Sequence, residues 1–421
     1  MHPRCMIAAL AVLAMPSGAV RADEPVRGTD AAPAASVASA PAPVESTPAG
    51  AASTAATALP TTEVKLAQAP AAPAEAKAEP AAEAKEEKPA PKYTFGGQAD
   101  FYFSTNFNNP STGLNGASVF DIEDEKGPHL GLLEAWVQKV RDPVGFRLDL
   151  NWGPTGRLNN FLERTLSGND VWDHVQQAYV SVNLNKSGKT YAEFGRWLSP
   201  TNAEVLEPVN NWLYSRSILY GFGSPFTFMG LRVYHYTNDT DYWMFHVNQG
   251  WDNVSSYGFG PGGGISYNKA VSSKLTATAN YIISNEPSAS GRETVRNYLD
   301  LVAAYNPSDK WNFTGNIDLA TQAGDTWYGV SVQAKYNWKP KEYFAARAEV
   351  LADSNGFRFA QASGTTVATL TLGYGRVITK NFQTRMEFQH AFSDTNLFAR
   401  STAGTFRGDQ TRFLVSGILH F

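Results

Sequence analysis

The chain has 421 residues, with 35 basic and 39 acidic side chains and a single cysteine. So even a balance, with no basic tract, excludes a nucleic-acid surface, and one thiol excludes a disulfide framework. No apolar run reaches the roughly 20 residues that a helix needs to cross a bilayer, which excludes a helical membrane protein.

Residues 1–22 read as a secretory signal peptide. Arg4 supplies the positive start, Met6 to Met15 the apolar core, and Val20-Arg21-Ala22 a small-residue cleavage site. Cys5 lies ahead of that core, the wrong place for a lipoprotein cysteine, and would leave with the peptide. The mature chain is then expected to carry no thiol and no cysteine metal site. Residues 23–92 are dominated by Ala and Pro with scattered Glu and Lys, and hold no Trp, Phe or Tyr. Such a segment buries too little surface to offset chain entropy, so it reads as a disordered linker, a tether or spacer.

From Tyr93 onward aromatics, Gly and Asn become frequent, and apolar residues alternate with polar ones. Val144, Phe146, Leu148, Leu150 and Trp152 alternate with Arg147, Asp149 and Asn151. Val330, Val332, Ala334 and Tyr336 oppose Ser331, Gln333, Lys335 and Asn337, and 311–319 and 383–389 repeat the pattern. A period of two puts one set on each face of a strand. Segments of about ten residues with that dyad are what a membrane barrel presents.

The connectors supply a second argument. Tight polar turns at Asp142-Pro143, 185–188, 238–240, 306–309, 339–341 and 379–381, with a slightly longer one at 268–273, carry the residues that turns demand. Between them lie longer stretches at 106–128, 153–172, 199–225, 252–262, 285–292, 320–325, 353–364 and 394–408. Short turns on one rim and long loops on the other are the asymmetry of outer-membrane barrels. The expected fold is all-β: a closed antiparallel transmembrane β-barrel of about 16 strands over 93–421, wide enough for an aqueous channel. A soluble β-sandwich would explain the alternation, but not its combination with an export signal, an absent thiol and uneven connectors. Trp311, Trp338, Tyr305, Tyr336 and Phe382, beside short turns, fit an aromatic girdle.

The last stretch, Asp409–Phe421, puts Phe413, Val415, Leu419 and Phe421 on one face. Arg412, Leu414, Ser416, Ile418 and His420 share the other, mixed face. A strand ending on Phe421 resembles the closing strand of bacterial outer-membrane barrels. That resemblance implies recognition by the barrel-insertion machinery, a setting of outer-membrane lipid and lipopolysaccharide in a Gram-negative bacterium, and a periplasmic linker.

Residues 195–226 carry the most distinctive motifs: Gly195-Arg196-Trp197, Pro200, Glu204, Tyr214-Ser215-Arg216-Ser217 and Pro225-Phe226. Together they resemble the OmpL-like β-barrel porin family, with Asn202 where relatives often have glycine. The resemblance implies an outer-membrane porin passing small hydrophilic solutes or ions by passive diffusion, without a cofactor. A homo-oligomer follows by analogy with general porins. The alternative is a structural or adhesive barrel without significant transport.

A loop of this length with Glu204, Glu207 and Arg216 is expected either to fold inward and narrow the pore or to pack on the barrel wall. Fixed charges at a constriction select by sign and size. Strand parity adds Arg147, Asp149, Arg232, Arg347, Glu349, Arg385 and Glu387 as pore candidates, with Asp100, Asp300, Asp318, Lys335 and Arg412 also facing the lumen. Asp121, Glu123, Asp124 and Glu125 form an acidic loop that reads as solvated or as a divalent-cation contact to lipopolysaccharide. His174 with Asp173 and Ser167, and His390 with Ser393 and Asp394, match no hydrolase motif. No enzyme activity is expected.

Overall fold

Alternation along the chain becomes a single ring of strands. The computed structural model describes residues 92–121, 127–160, 171–254, 261–288 and 292–421. The expected signal peptide, and the linker up to residue 91, lie outside them. The strands are β1 (Tyr93–Asn106), β2 (His129–Lys139), β3 (Val144–Trp152), β4 (Val175–Asn183), β5 (Thr190–Leu198), β6 (Thr227–Tyr236), β7 (Tyr242–Asn248), β8 (Gly262–Ser272) and β9 (Leu275–Pro287). They continue as β10 (Glu293–Tyr305), β11 (Trp311–Gln322), β12 (Asp325–Lys339), β13 (Glu342–Asp353), β14 (Thr365–Thr379), β15 (Phe382–Ser393), β16 (Phe398–Ala399), β17 (Phe406–Arg407) and β18 (Asp409–His420). β16 and β17 form a small ribbon of their own; the other sixteen make a closed antiparallel barrel in chain order. β1 meets β18 from Gln98↔His420 to Asn106↔Arg412 and shuts the ring. Closure leaves no strand edge, the condition for satisfying every backbone group in lipid.

Parity decides what faces lipid. On β12, Val330 and Val332 are 40 % and 52 % exposed, while Ser331 and Gln333 between and beside them are buried. The mixed face of β18 turns inward. Its Leu414 and Ile418 are buried with Tyr102 of β1 and with Tyr214 from the 199–226 segment, which explains apolar residues on a lumen face. Trp311, Trp338 and Tyr305 are exposed beside the short turns, as a girdle requires, and Trp311 stacks on Phe313 at 5.6 Å.

Three connectors are shorter than the sequence suggests. β8 runs to Ser272, so the turn before β9 is only Ser273-Lys274. On the long-loop rim, pairing continues to Pro287↔Glu293 and to Gln322↔Asp325, so 285–287 and 320–322 belong to the strands rather than to connectors. Ala323 (φ 53°) and Gly324 (φ 91°) close the second hairpin with the two left-handed residues that a type I′ turn uses. That tight turn lets the ladder run to its end.

The barrel has an apolar interior on its long-loop side. Val119 and Phe120 from one loop, Leu206, Ile218, Leu219, Phe222 and Phe226 from 199–226, and Phe357 and Phe359 from a third pack there. Trp197, Trp251 and Trp327 complete that cluster from the wall and an adjoining loop. A short helix, α1 (Pro154–Asn160), is tied to the same wall by Asn160, which donates to Asn151 Oδ1 at 2.9 Å.

The lipid-facing assignment has a direct test. Val332→Arg, near the middle of β12, is expected to lower folding stability in lipid vesicles by about 2–4 kcal/mol. Ser331→Ala, one residue away on the inner face, removes a buried hydroxyl without a hydrogen-bond partner and should change it by less than about 1 kcal/mol. Equal effects in a denaturant titration would reject the parity.

Candidate functional site

The segment between β5 and β6 folds into the lumen rather than outward. Every residue from Leu213 to Phe228 is buried. An inserted loop brings backbone N–H and C=O groups that have no ladder to join, and each needs a partner. The wall supplies them with charged side chains at alternate strand positions.

Arg347 of β13 is the main anchor. Its five donors are all used. Nε donates to Glu349 Oε1 (3.1 Å), Nη1 to Glu204 Oε1 (2.7 Å) and to the Ser215 carbonyl (2.7 Å). Nη2 donates to Ser215 Oγ (3.1 Å) and to the Arg216 carbonyl (3.1 Å). Glu349 in turn accepts the Ile218 N–H at 2.7 Å and the Thr369 hydroxyl at 2.6 Å. Glu204 accepts the Ser217 N–H at 2.6 Å. Two strands away, Glu387 accepts the Ser215 N–H (3.2 Å) and hydroxyl (2.6 Å), and also the Tyr214 N–H. Arg385 donates to the carbonyls of Pro208 (2.6 Å) and Leu213 (3.0 Å). On β1, Asp100 accepts the Tyr214 hydroxyl at 2.5 Å.

Space is made by two glycines. A Cβ on Gly131 would collide with the Tyr214 hydroxyl and Asp100, and one on Gly373 would collide with Leu213. Any side chain there would push the segment off the wall.

The structure brings Glu204, Arg216, Arg347, Glu349, Arg385 and Glu387 together around one segment, buried and bonded. Among the described residues Arg216 makes no ion pair with a wall acid. It donates to the Tyr214 carbonyl (2.9 Å) and to that of Leu206, closing the segment on itself, with its guanidinium 5.5 Å from the Phe120 ring. Glu207 stands apart. It is half-buried and accepts from Gln176 Nε2 of β4 at 2.6 Å, on the wall that also carries the Arg147–Asp149 ion pair. Burial first, and then the Asp149 carboxylate, holds its carboxyl above the usual range. Arg232 is remote from the segment, paired to Glu193 of β5 at 2.6 Å.

Other expectations fall out differently. Asp121 is not solvated: it accepts from Ser118 Oγ at 2.6 Å and pairs with Arg412, because its loop also turns inward. Residues 122–126 lie outside the described residues. His174 Nδ1 meets the Asn151 carbonyl at 3.0 Å, and Ser167 lies outside the described residues. His390 is exposed and meets Thr411 Oγ1 at 2.8 Å, while Asp394 accepts the Thr366 N–H. Sequence reasoning missed Trp327 and Arg358, and noted Asn202 only as a departure from glycine. Trp327 Nε1 donates to the Gly223 carbonyl (2.8 Å) and Arg358 to that of Phe222 (2.5 Å). Trp327 shares the inward parity of Ser331 on β12, which was an available signal; Arg358 lies in the connector between β13 and β14 and left none.

Residues 92–421 match the family model described as putative beta-barrel porin-2, OmpL-like. No curated protein matches the chain. Among solved structures, the outer membrane channel DcaP of Acinetobacter baumannii is similar at TM-score 0.53 and 11 % identity, over 78 % of this chain and 97 % of that one. An anion-selective porin from Comamonas acidovorans is similar at TM-score 0.51 and 12 % identity, over 78 % and 99 %. OprB of Pseudomonas putida gives TM-score 0.51 and 11 % identity, over 78 % and 94 %. At such identities the likeness speaks for the fold alone. The family match covers the whole closed sheet with its lipid-facing exterior, and the chain therefore belongs to this OmpL-like β-barrel porin family, as an outer-membrane porin of a Gram-negative bacterium.

Proposed function

We propose that the barrel passes small hydrophilic solutes or ions by diffusion along a narrow route, with the 199–226 segment as its fixed constriction. The observation that carries this is a contrast within the lumen. Toward the short-turn rim, inward side chains such as Gln138, Arg147 and Lys335 stay partly exposed, as does Glu207 on the segment. Beyond the segment the interior is packed. A barrel of about 16 strands would otherwise hold a wide channel, so the inserted chain sets the size limit. Charge selection falls to the groups that water still reaches, Glu207 and Arg147 on one wall and Lys335 on another. Glu204, Arg216, Arg232, Arg347, Glu349, Arg385 and Glu387 act on transport through the position of the segment or the wall, not by meeting the solute.

A second reading, a structural or adhesive barrel, is favoured by the same apolar packing. The proposal also takes lipid and lipopolysaccharide as the barrel's surroundings and the linker as periplasmic. The strand ending at the exposed Phe421 serves as the insertion signal, a homo-oligomer is the assembled form, and no catalytic step is involved.

Conductance in planar bilayers tests the two readings. Replacing 203–222 by a short Gly-Ser linker should raise single-channel conductance several-fold over a small native value. A variant as silent as the native barrel would leave the structural reading standing. Arg347→Met leaves Glu204 and Glu349 buried without their cation, a loss of about 3–5 kcal/mol. It should loosen the segment, lower the unfolding temperature and raise conductance. Glu207→Gln should shift the reversal potential toward anions with little change in stability. The native cation preference from this group should fade as pH drops, at a pH above the ordinary glutamate value of about 4.5, since its folded-state proton is held more tightly. An identical pH profile in the Gln variant would remove Glu207 from selectivity.

A further inference from the structure

Two carboxyl groups on the inner wall meet with no cation beside them. Asp300 of β10 and Asp318 of β11 are direct cross-strand partners, both buried, and hydrogen-bonded to each other. Among the described residues neither has an ion pair, whereas Asp121, Asp149, Glu193 and Glu349 each face an arginine. Two ionised carboxylates offer only acceptors, so a hydrogen bond between them requires a proton. Their surroundings require it as well, because like charges this close in a dry wall cannot both ionise.

The donors around the pair show which partner holds that proton. Asp300 collects three N–H groups. The Asn202 main chain (3.1 Å) and Asn316 Nδ2 (2.8 Å) donate to its Oδ1, and Asn280 Nδ2 (2.7 Å) to its Oδ2. Asp318 takes one, from Asn316 Nδ2 to Oδ1 at 2.9 Å, and faces the Tyr298 hydroxyl. N–H donors stabilise the charged form of a carboxyl, so Asp300 carries the charge and Asp318 the proton. Cross-strand from the pair on β9 and β12 stand Asn280 and Gly329, and Asn202 and Gly223 face it from the segment. None of these is charged, which leaves Tyr298 of β10 as the titratable group beside the pair.

We propose that one proton, donated by Asp318 to Asp300, latches both roots of the inserted segment to the wall. Asn316 ties the pair to the segment's start: its amide nitrogen reaches both carboxyls, and its Oδ1 accepts the Ala203 N–H at 3.0 Å. Asn202 donates in turn to Ser224 Oγ near the segment's end at 2.8 Å, and a Cβ at Gly223 would stand 3.1 Å from Asp318 Oδ2. Withdrawing the proton puts a second charge in the site and drives the two carboxyls apart. Asp300 and Asn316 then leave the N–H groups of residues 202 and 203, and the roots loosen while Arg347 still holds the middle. A carboxyl protonated in the folded state and ionised in the unfolded one gives the fold the extra proton. Stability therefore falls as pH rises above the ordinary aspartate value of about 3.9.

The test uses the full chain in detergent beside Asp318→Asn, whose amide donates the same hydrogen bond and has no proton to lose. The native-minus-variant infrared difference at neutral pH should show the C=O stretch of a neutral carboxyl. The native unfolding temperature should fall by several degrees more than the variant's between about pH 5 and about pH 9. If that variant does not fold, Asp300→Asn carries the same comparison. In planar bilayers, and resting on the constriction reading, native conductance should rise at alkaline pH while the variant's does not. A barrel silent at every pH fails the transport reading alone, and the infrared and unfolding comparisons still decide the latch. A difference spectrum without the neutral-carboxyl band, or equal pH slopes in the two chains, overturns the proposal.

Discussion

The molecule depends on how an irregular stretch of backbone is satisfied inside a sheet. Residues 199–226 bring carbonyls and amides to the middle of a barrel, away from any ladder. A buried polar group without a partner costs about 1–3 kcal/mol, so a segment with several would not stay. Arg347, Glu349, Arg385 and Glu387 each reach the segment's main chain directly. They do for the loop what neighbouring strands do for each other.

Buried ion pairs are poor sources of net stability, because desolvation offsets most of the attraction. The Glu204–Arg347–Glu349 cluster is therefore better understood as fixing where the segment lies than as holding the barrel together. The stabilising term comes from the apolar side of the same segment, where Ile218, Leu219, Phe222 and Phe226 leave water. Burying such side chains is worth about 1.5–3 kcal/mol each. The two contributions divide the work: apolar packing draws the loop in, and the charges choose its register against β13 and β15.

Much of the barrel is legible in the sequence because its period of two reports directly on which face meets lipid. Val330 and Val332 against Ser331 and Gln333 need no tertiary information to be placed. The short hairpin at 320–325 is harder to read. Gly and Asn mark a turn but not how far the ladder runs before it, and two left-handed residues at 323–324 suffice. The inward charges are legible as inward, but not their partners. Parity says that Arg347 faces the lumen; it does not say that a distant loop arrives to take both of its terminal guanidinium nitrogens. Leu414 and Ile418 are the same case in reverse, apolar residues on a lumen face that make sense only once Tyr214 is beside them. Asp121, a solvated loop acid by composition, is paired because its loop turns in.

The seam between β1 and β18 carries a consequence for how the molecule is made. The first and last strands are neighbours in the ring although more than three hundred positions separate them. Until Asp409–His420 has been synthesised and exported, the sheet has two bare margins, and a chain broken off before that point is an open ribbon with unpaired amides on both sides. The inserted segment is complete long before then, yet its holds on β13 and β15 come from the later half. The early half therefore waits for the late half, and a ribosome stalled in the final strands leaves a product prone to pair with another copy of itself.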